Sequence, residues 1–183
     1  MRRMFRRDKR KGFAPDIPPV LQEANLAFDK GEFGRAAQLF ERIAETADSR
    51  GGPRAPLFHL QAGRARILAG QTALGMPSLK RGLELLTQRR QFPRLQNAGM
   101  RAIAELNELG LKNEAVEIES WLKAQLPSMS MPARDAKENP AKKPTLPTHC
   151  PQCGAGIRPD EVEWLDEITA ECGYCGSPVR EDN

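Results

Sequence analysis

Histidine is nearly missing from this chain, with two in 183 residues, and aromatic side chains make up only 5% of it. His59 and His149 stand far apart, with no nucleophile or glycine-rich phosphate loop beside them, so no catalytic constellation can be drawn and the expectation is a protein that is not an enzyme. So few aromatics argue against an aromatic-rich β sandwich and for a small helical core of Leu, Ala and Ile. No stretch approaches the roughly 18 apolar residues that a membrane crossing needs. The basic N-terminal residues are not followed by the apolar run of a secretory signal. The expectation is therefore a cytoplasmic protein without a transmembrane segment. Cysteine is absent from the first 149 residues, and all four cysteines lie beyond them.

Those four form two pairs, Cys150-Pro151-Gln152-Cys153 and Cys172-Gly173-Tyr174-Cys175, with eighteen residues between the pairs. Two residues between cysteines let a tight turn aim both sulfurs at one point. Glycine after each pair, Gly154 and Gly176, permits positive φ there and lets backbone N–H groups approach the thiolates. Two such knuckles make a tetrahedral cage with sulfur about 2.3 Å from zinc. A pair of disulfides is the alternative, but nothing in the sequence indicates an oxidising compartment. No βαβ pattern surrounds either pair to suggest a thioredoxin-type redox site. Four thiolates leave no open coordination position, so the expected cofactor is one structural Zn2+ held by Cys150, Cys153, Cys172 and Cys175, with His149 as a flanking residue.

The stretch between the knuckles alternates as a hairpin does: Val162, Trp164 and Leu165, a polar turn at Asp166-Glu167, then Ile168 to Cys172, with Ser177-Pro178-Val179 as a short third strand. With these features, residues 148–181 resemble a zinc ribbon. Ile157, Trp164, Ile168, Tyr174 and Val179 are about all it can bury, too little to hold a core alone. Metal and fold should then be one equilibrium. Rubredoxins use the same knuckles with iron, which leaves an iron electron carrier as an alternative, although this segment is shorter and lacks their aromatic core.

Residues 15–126 read as helices in pairs. Gly31, Gly70 and Gly110 are 39 and 40 residues apart; each ends a helical pattern and is followed five residues on by Ala36, Gly75 or Ala115, small enough for two helices to approach closely. Gly31, Phe33, Ala36, Phe40 and Ile43 resemble the consensus of the tetratricopeptide repeat, and the later units match it more loosely. The period exceeds that family's 34 residues, and loops such as Ser49-Arg50-Gly51-Gly52-Pro53 are the expected cause. A generic α-solenoid or an irregular helical bundle is the alternative. The resemblance implies a concave groove, lined by the first helix of each pair, that takes a peptide or partner protein. It places Asn25, Arg64 and Arg101 on that surface. Asn25 matches the asparagine that family members use to bond a peptide backbone or carboxylate, but Leu21 stands where a carboxylate clamp has lysine. Arg64 and Arg66 suit an acidic peptide or a solvated basic face.

Charge is divided unevenly. Residues 1–12 carry seven basic side chains and one acidic, whereas residues 148–183 carry two and eight. The basic tail, through Arg2, Arg3, Arg6, Arg7, Lys9, Arg10 and Lys11, is read as solvated or as a contact for nucleic acid or an anionic membrane. An acidic ribbon repels phosphate backbones and suits a protein surface instead. Residues 127–147 hold five prolines among Lys, Ala and Ser, the composition of a flexible linker with a reach of roughly 65 Å. The expected architecture is mostly α: a basic tail (1–14), a tetratricopeptide-like helix-hairpin solenoid of about three hairpins (15–126), a linker (127–147) and a small β zinc ribbon (148–181). The expected function is a non-enzymatic adaptor for a protein or peptide partner, with nucleic-acid association through the tail as the alternative.

Overall fold

The computed structural model describes residues 18–126, 145–158, 162–164 and 168–180. The basic tail, most of the linker and the acidic residues Asp160, Glu161, Asp166 and Glu167 lie outside the described residues. Six helices run in order: α1 (Pro19–Asp29), α2 (Phe33–Ser49), α3 (Ala55–Leu68), α4 (Thr72–Gln88), α5 (Phe92–Glu108) and α6 (Lys112–Gln125).

One turn, used five times, sets their arrangement. Gly31, Gly51, Gly70, Arg90 and Gly110 have φ between 56° and 76°. After each, the next residue donates its N–H back to the helix just ended, Glu32 to Ala27, Gly52 to Ala47, Gln71 to Arg66, Gln91 to Leu86 and Leu111 to Leu106, at 2.7–2.9 Å. This is the Schellman ending, which satisfies carbonyls that the helix leaves open and turns the chain back on itself. The five positions recur every 19 or 20 residues, so the repeating unit is a single helix, and the 39–40 spacing of Gly31, Gly70 and Gly110 catches every second turn. The long period does not come from loops. The links between hairpins are residues 50–54 and 89–91, while α2, α4 and α5 each have 17 residues. Arg90 is the one turn residue of the five with a Cβ, which costs about 1–2 kcal/mol in the left-handed region. Arg90→Gly is expected to stabilise the protein by about 0.5–1 kcal/mol, read as a rise in the denaturant midpoint at unchanged slope.

Helices α3 and α4 meet at their backbones. A Cβ on Gly63 would sit 2.6 Å from the Leu79 nitrogen and 2.8 Å from the Gly75 oxygen, and one on Gly75 would sit 2.7 Å from the Gly63 oxygen. Two apolar clusters result. Ile67, Leu79, Leu83, Leu95, Leu106 and Ile118 join α3 to α6, while Leu21, Ala24, Phe40, Phe58 and Ala62 join α1 to α3 and continue into the C-terminal residues. Ion pairs tie helices that are not consecutive, Arg81 of α4 to Asp48 of α2 at 2.8 Å and Arg64 of α3 to Glu105 of α5 at 2.8 Å. On α6, Ala115, Ile118 and Leu122 face inward, whereas Val116 is 59% exposed and takes no part in the core. Among the described residues no helix is long and apolar enough to cross a membrane.

The C-terminal residues form an antiparallel sheet of three short strands, β1 (Glu163–Trp164), β2 (Thr169–Glu171) and β3 (Pro178–Arg180), in that order. Ala170 lies opposite Trp164 on one side and Val179 on the other, and its small side chain fills the interior. Ile168 precedes β2 and is 57% exposed, so it is not the core residue that alternation suggested; Ile157 and Val179 are buried, and Trp164 and Tyr174 pack half-buried against the same cluster.

Candidate metal centre

Each Cys-x-x-Cys pair closes a small backbone loop, and the two loops are built alike. The Gly154 N–H donates to the Cys150 carbonyl at 2.9 Å, and the Gly176 N–H to the Cys172 carbonyl at 2.8 Å. The Cys150 N–H reaches Ala155 O at 2.8 Å, and the Cys172 N–H reaches Ser177 O at 2.9 Å. Gly154 and Gly176 hold φ near +75°, the conformation that carries the chain out of each loop without a Cβ clash.

The loops face one another and bring all four sulfurs within 4.8 Å of each other, every one buried. Cys150 Sγ lies 3.7 Å from Cys175 Sγ, and Cys153 Sγ lies 3.9 Å from Cys172 Sγ. Sulfurs at about 2.3 Å from a tetrahedral ion stand about 3.8 Å apart. The cage therefore has the size of a four-thiolate metal site, and the cysteines are free, not disulfide-bonded. Their proton chemistry points the same way. Hydrogen bonds from Cys153 and Cys172 hold the Cys150 thiol down to about 2, while the bond to Cys150 pushes Cys153 up and pushes Cys172 up to about 12, with burial adding to both. Among these three, one thiolate forms at the expense of its neighbours. The buried Ser177 hydroxyl oxygen lies 3.2 Å from Cys175 Sγ and accepts a hydrogen bond from that thiol. His149 is not part of the cage; its Nε2 lies 3.5 Å from Asp29 Oδ2 on α1.

The cage sits against the helices. Cys150, Cys153, Cys172 and Cys175 belong to the same apolar cluster as Leu21, Ala24 and Phe58, with Leu146 and Ala155 sealing its edge. Polar contacts fix the orientation. Gln22 and Asn25, one turn apart on α1, donate their side-chain amides to two successive carbonyls, Gln152 O at 2.8 Å and Cys153 O at 2.9 Å. Arg54, just before α3, pairs with Glu171 at 3.0 Å, and Gln61 of α3 donates to the Tyr174 phenol oxygen. Burial pushes that phenol up to about 12, so it stays neutral. Arg54 occupies the space that a Cβ on Gly176 would enter.

Asn25 thus lies beneath the cysteine loops, 5% exposed. Arg64 and Arg101 line an open cavity of about 700 Å3 between α3, α5 and the cysteine module. Arg64 is paired with Glu105 and lies 5.1 Å from the Phe28 ring centroid. Arg66 is elsewhere, held by Glu41 of α2 at 2.6 Å. The contacts of Gln22, Arg54 and Gln61 were not anticipated. Their signal is a polar side chain recurring at three- or four-residue spacing on otherwise apolar helix faces, and it becomes readable only once the covering segment is known. No protein-family model, curated protein or solved structure matches this chain. Fold and site define a mostly helical protein whose C-terminal cysteines can hold a metal ion.

Proposed function

We propose that this chain is a non-enzymatic interaction protein: a tetratricopeptide-like helical repeat whose groove receives a protein or peptide partner, with a zinc ribbon, held by one structural Zn2+, built into one end of that groove. The cavity between α3 and α5 carries the reading. It has about 700 Å3 of room, an apolar floor that includes Leu57, Leu60 and Ala98, and polar arms from Asn97, Arg101 and Glu108. That is the size and make-up of a site for several residues of an extended chain. The four sulfurs support a structural role for the metal, because they complete its coordination and leave no position for substrate.

Ala104 lines the cavity and is exposed, so Ala104→Trp fills it without entering the core. The variant is expected to lose, by at least tenfold, partners that the wild type captures and that the control Val116→Trp on α6 retains. Partners captured equally by both variants would place binding elsewhere. A colourless protein with one equivalent of zinc supports the structural ion, whereas a red, redox-active protein identifies iron and an electron carrier instead.

A further inference from the structure

The cysteine loop meets α1 as a bound peptide would. Two side-chain amides at i and i+3 on one helix read two consecutive main-chain carbonyls, Gln152 O and Cys153 O, with no recognition of the side chains between. Asn25 is the residue that the repeat resemblance places in the peptide groove, and its amide is spent on the chain's own backbone. Arg54 at the N-cap of α3 and Leu57 and Gln61 within it also follow one stripe beneath the ribbon. The α3–α5 part of the groove stays open, and beside the ribbon a smaller cavity of about 220 Å3, lined by Asn25, Phe28, Gln61 and Tyr174, remains in the α1–α3 part.

We infer that the ribbon is a tethered occupant of the α1–α3 half of the groove and that the metal is the latch that keeps it there. The loop that presents Gln152 O and Cys153 O carries two of the four cage sulfurs, Cys150 and Cys153. The bonded carbonyls belong to a ligand, Cys153, and to the residue before it. Without an ion nothing ties the four sulfurs to one point, and the ribbon's few buried residues do not hold it folded. Loss of the ion therefore loosens the loops, releases the amide of the exposed Gln22 and uncovers Asn25, Leu57 and Gln61, which lengthens the groove by one helix pair. Metal loading sets how much of the helical surface a partner can reach. This last consequence rests on the groove being a partner site; the latch itself does not.

Linkage makes the latch testable from both sides, because an ion that favours docking must bind more tightly when docking is intact. In the full-length protein loaded with zinc, chelation is expected to speed hydrogen exchange of the α1 amides about tenfold or more and to leave α5 and α6 unchanged. Conversely, Gln22→Ala/Asn25→Ala is expected to weaken zinc binding about tenfold, measured by competition with a chromophoric chelator. Gln61→Ala, at a half-buried position, gives a smaller loss in the same direction. Unchanged α1 exchange after chelation, or wild-type zinc affinity in the double variant, overturns the latch. Neither measurement involves a partner, so failure of the latch and failure of the adaptor reading are separate results.

Discussion

Cys153→Ser is expected to abolish stoichiometric metal binding and to destabilise the protein by more than about 4 kcal/mol, the range in which losing a metal site places a substitution. Cys153 is 0% exposed, supplies one of four sulfurs and offers its carbonyl to Asn25. A serine hydroxyl stays protonated at neutral pH and does not replace a thiolate on a borderline-soft ion. Three buried sulfurs then remain without the fourth. The loss should reach the helices, because Leu21, Ala24 and Phe58 share one cluster with the four cysteines. Thermal melts followed by circular dichroism, with metal content measured on the same samples, check this. A variant that keeps the wild-type midpoint would show that the helical part owes nothing to the ribbon.

Gly63→Ala is the second large effect. It adds one methyl group at a place where the neighbours are all main chain, the Leu79 nitrogen at 2.6 Å, the Gly75 oxygen at 2.8 Å and the Leu79 Cα at 2.9 Å. A flexible side chain could swing aside, but a packed helix can only move as a body. The α3–α4 crossing must widen, and the cores on both sides lose contact with it. A destabilisation of about 3 kcal/mol is expected despite alanine's better helix propensity. Gly75→Ala faces the same crossing from the other side, so the double variant should cost less than the sum of the two. Gly34→Ala, on α2 with nothing within 4 Å, is the control and should be neutral or slightly stabilising. Chemical denaturation of the four proteins gives the comparison.

The elements that could be read from the chain are those whose cause is local. Positive φ at Gly31, Gly70 and Gly110 is a property of single residues, so three helix ends were legible. Two further helix ends were hidden, because Arg90 makes the same turn without glycine and Gly51 makes it within a stretch that reads as a loop, so the spacing of 39–40 caught every second turn. The two Cys-x-x-Cys pairs were legible because knuckle closure is a short-range affair of five residues. Ile168 was misplaced because alternation assigns a face but does not say where a ladder ends.

The sequence by itself determined a helical chain punctuated by tight turns and four cysteines that can share one ion, because glycine conformation and thiolate spacing act over a few residues. Only the tertiary structure decided where those cysteines go. Asn25 and Cys153 are 128 positions apart, and the bond between them exists only where the first cysteine loop lies against α1. A polar side chain on an apolar helix face says that something polar covers it. Whether the cover is a partner or the chain's own backbone is a property of the assembled molecule, and here it is the backbone of the metal loop.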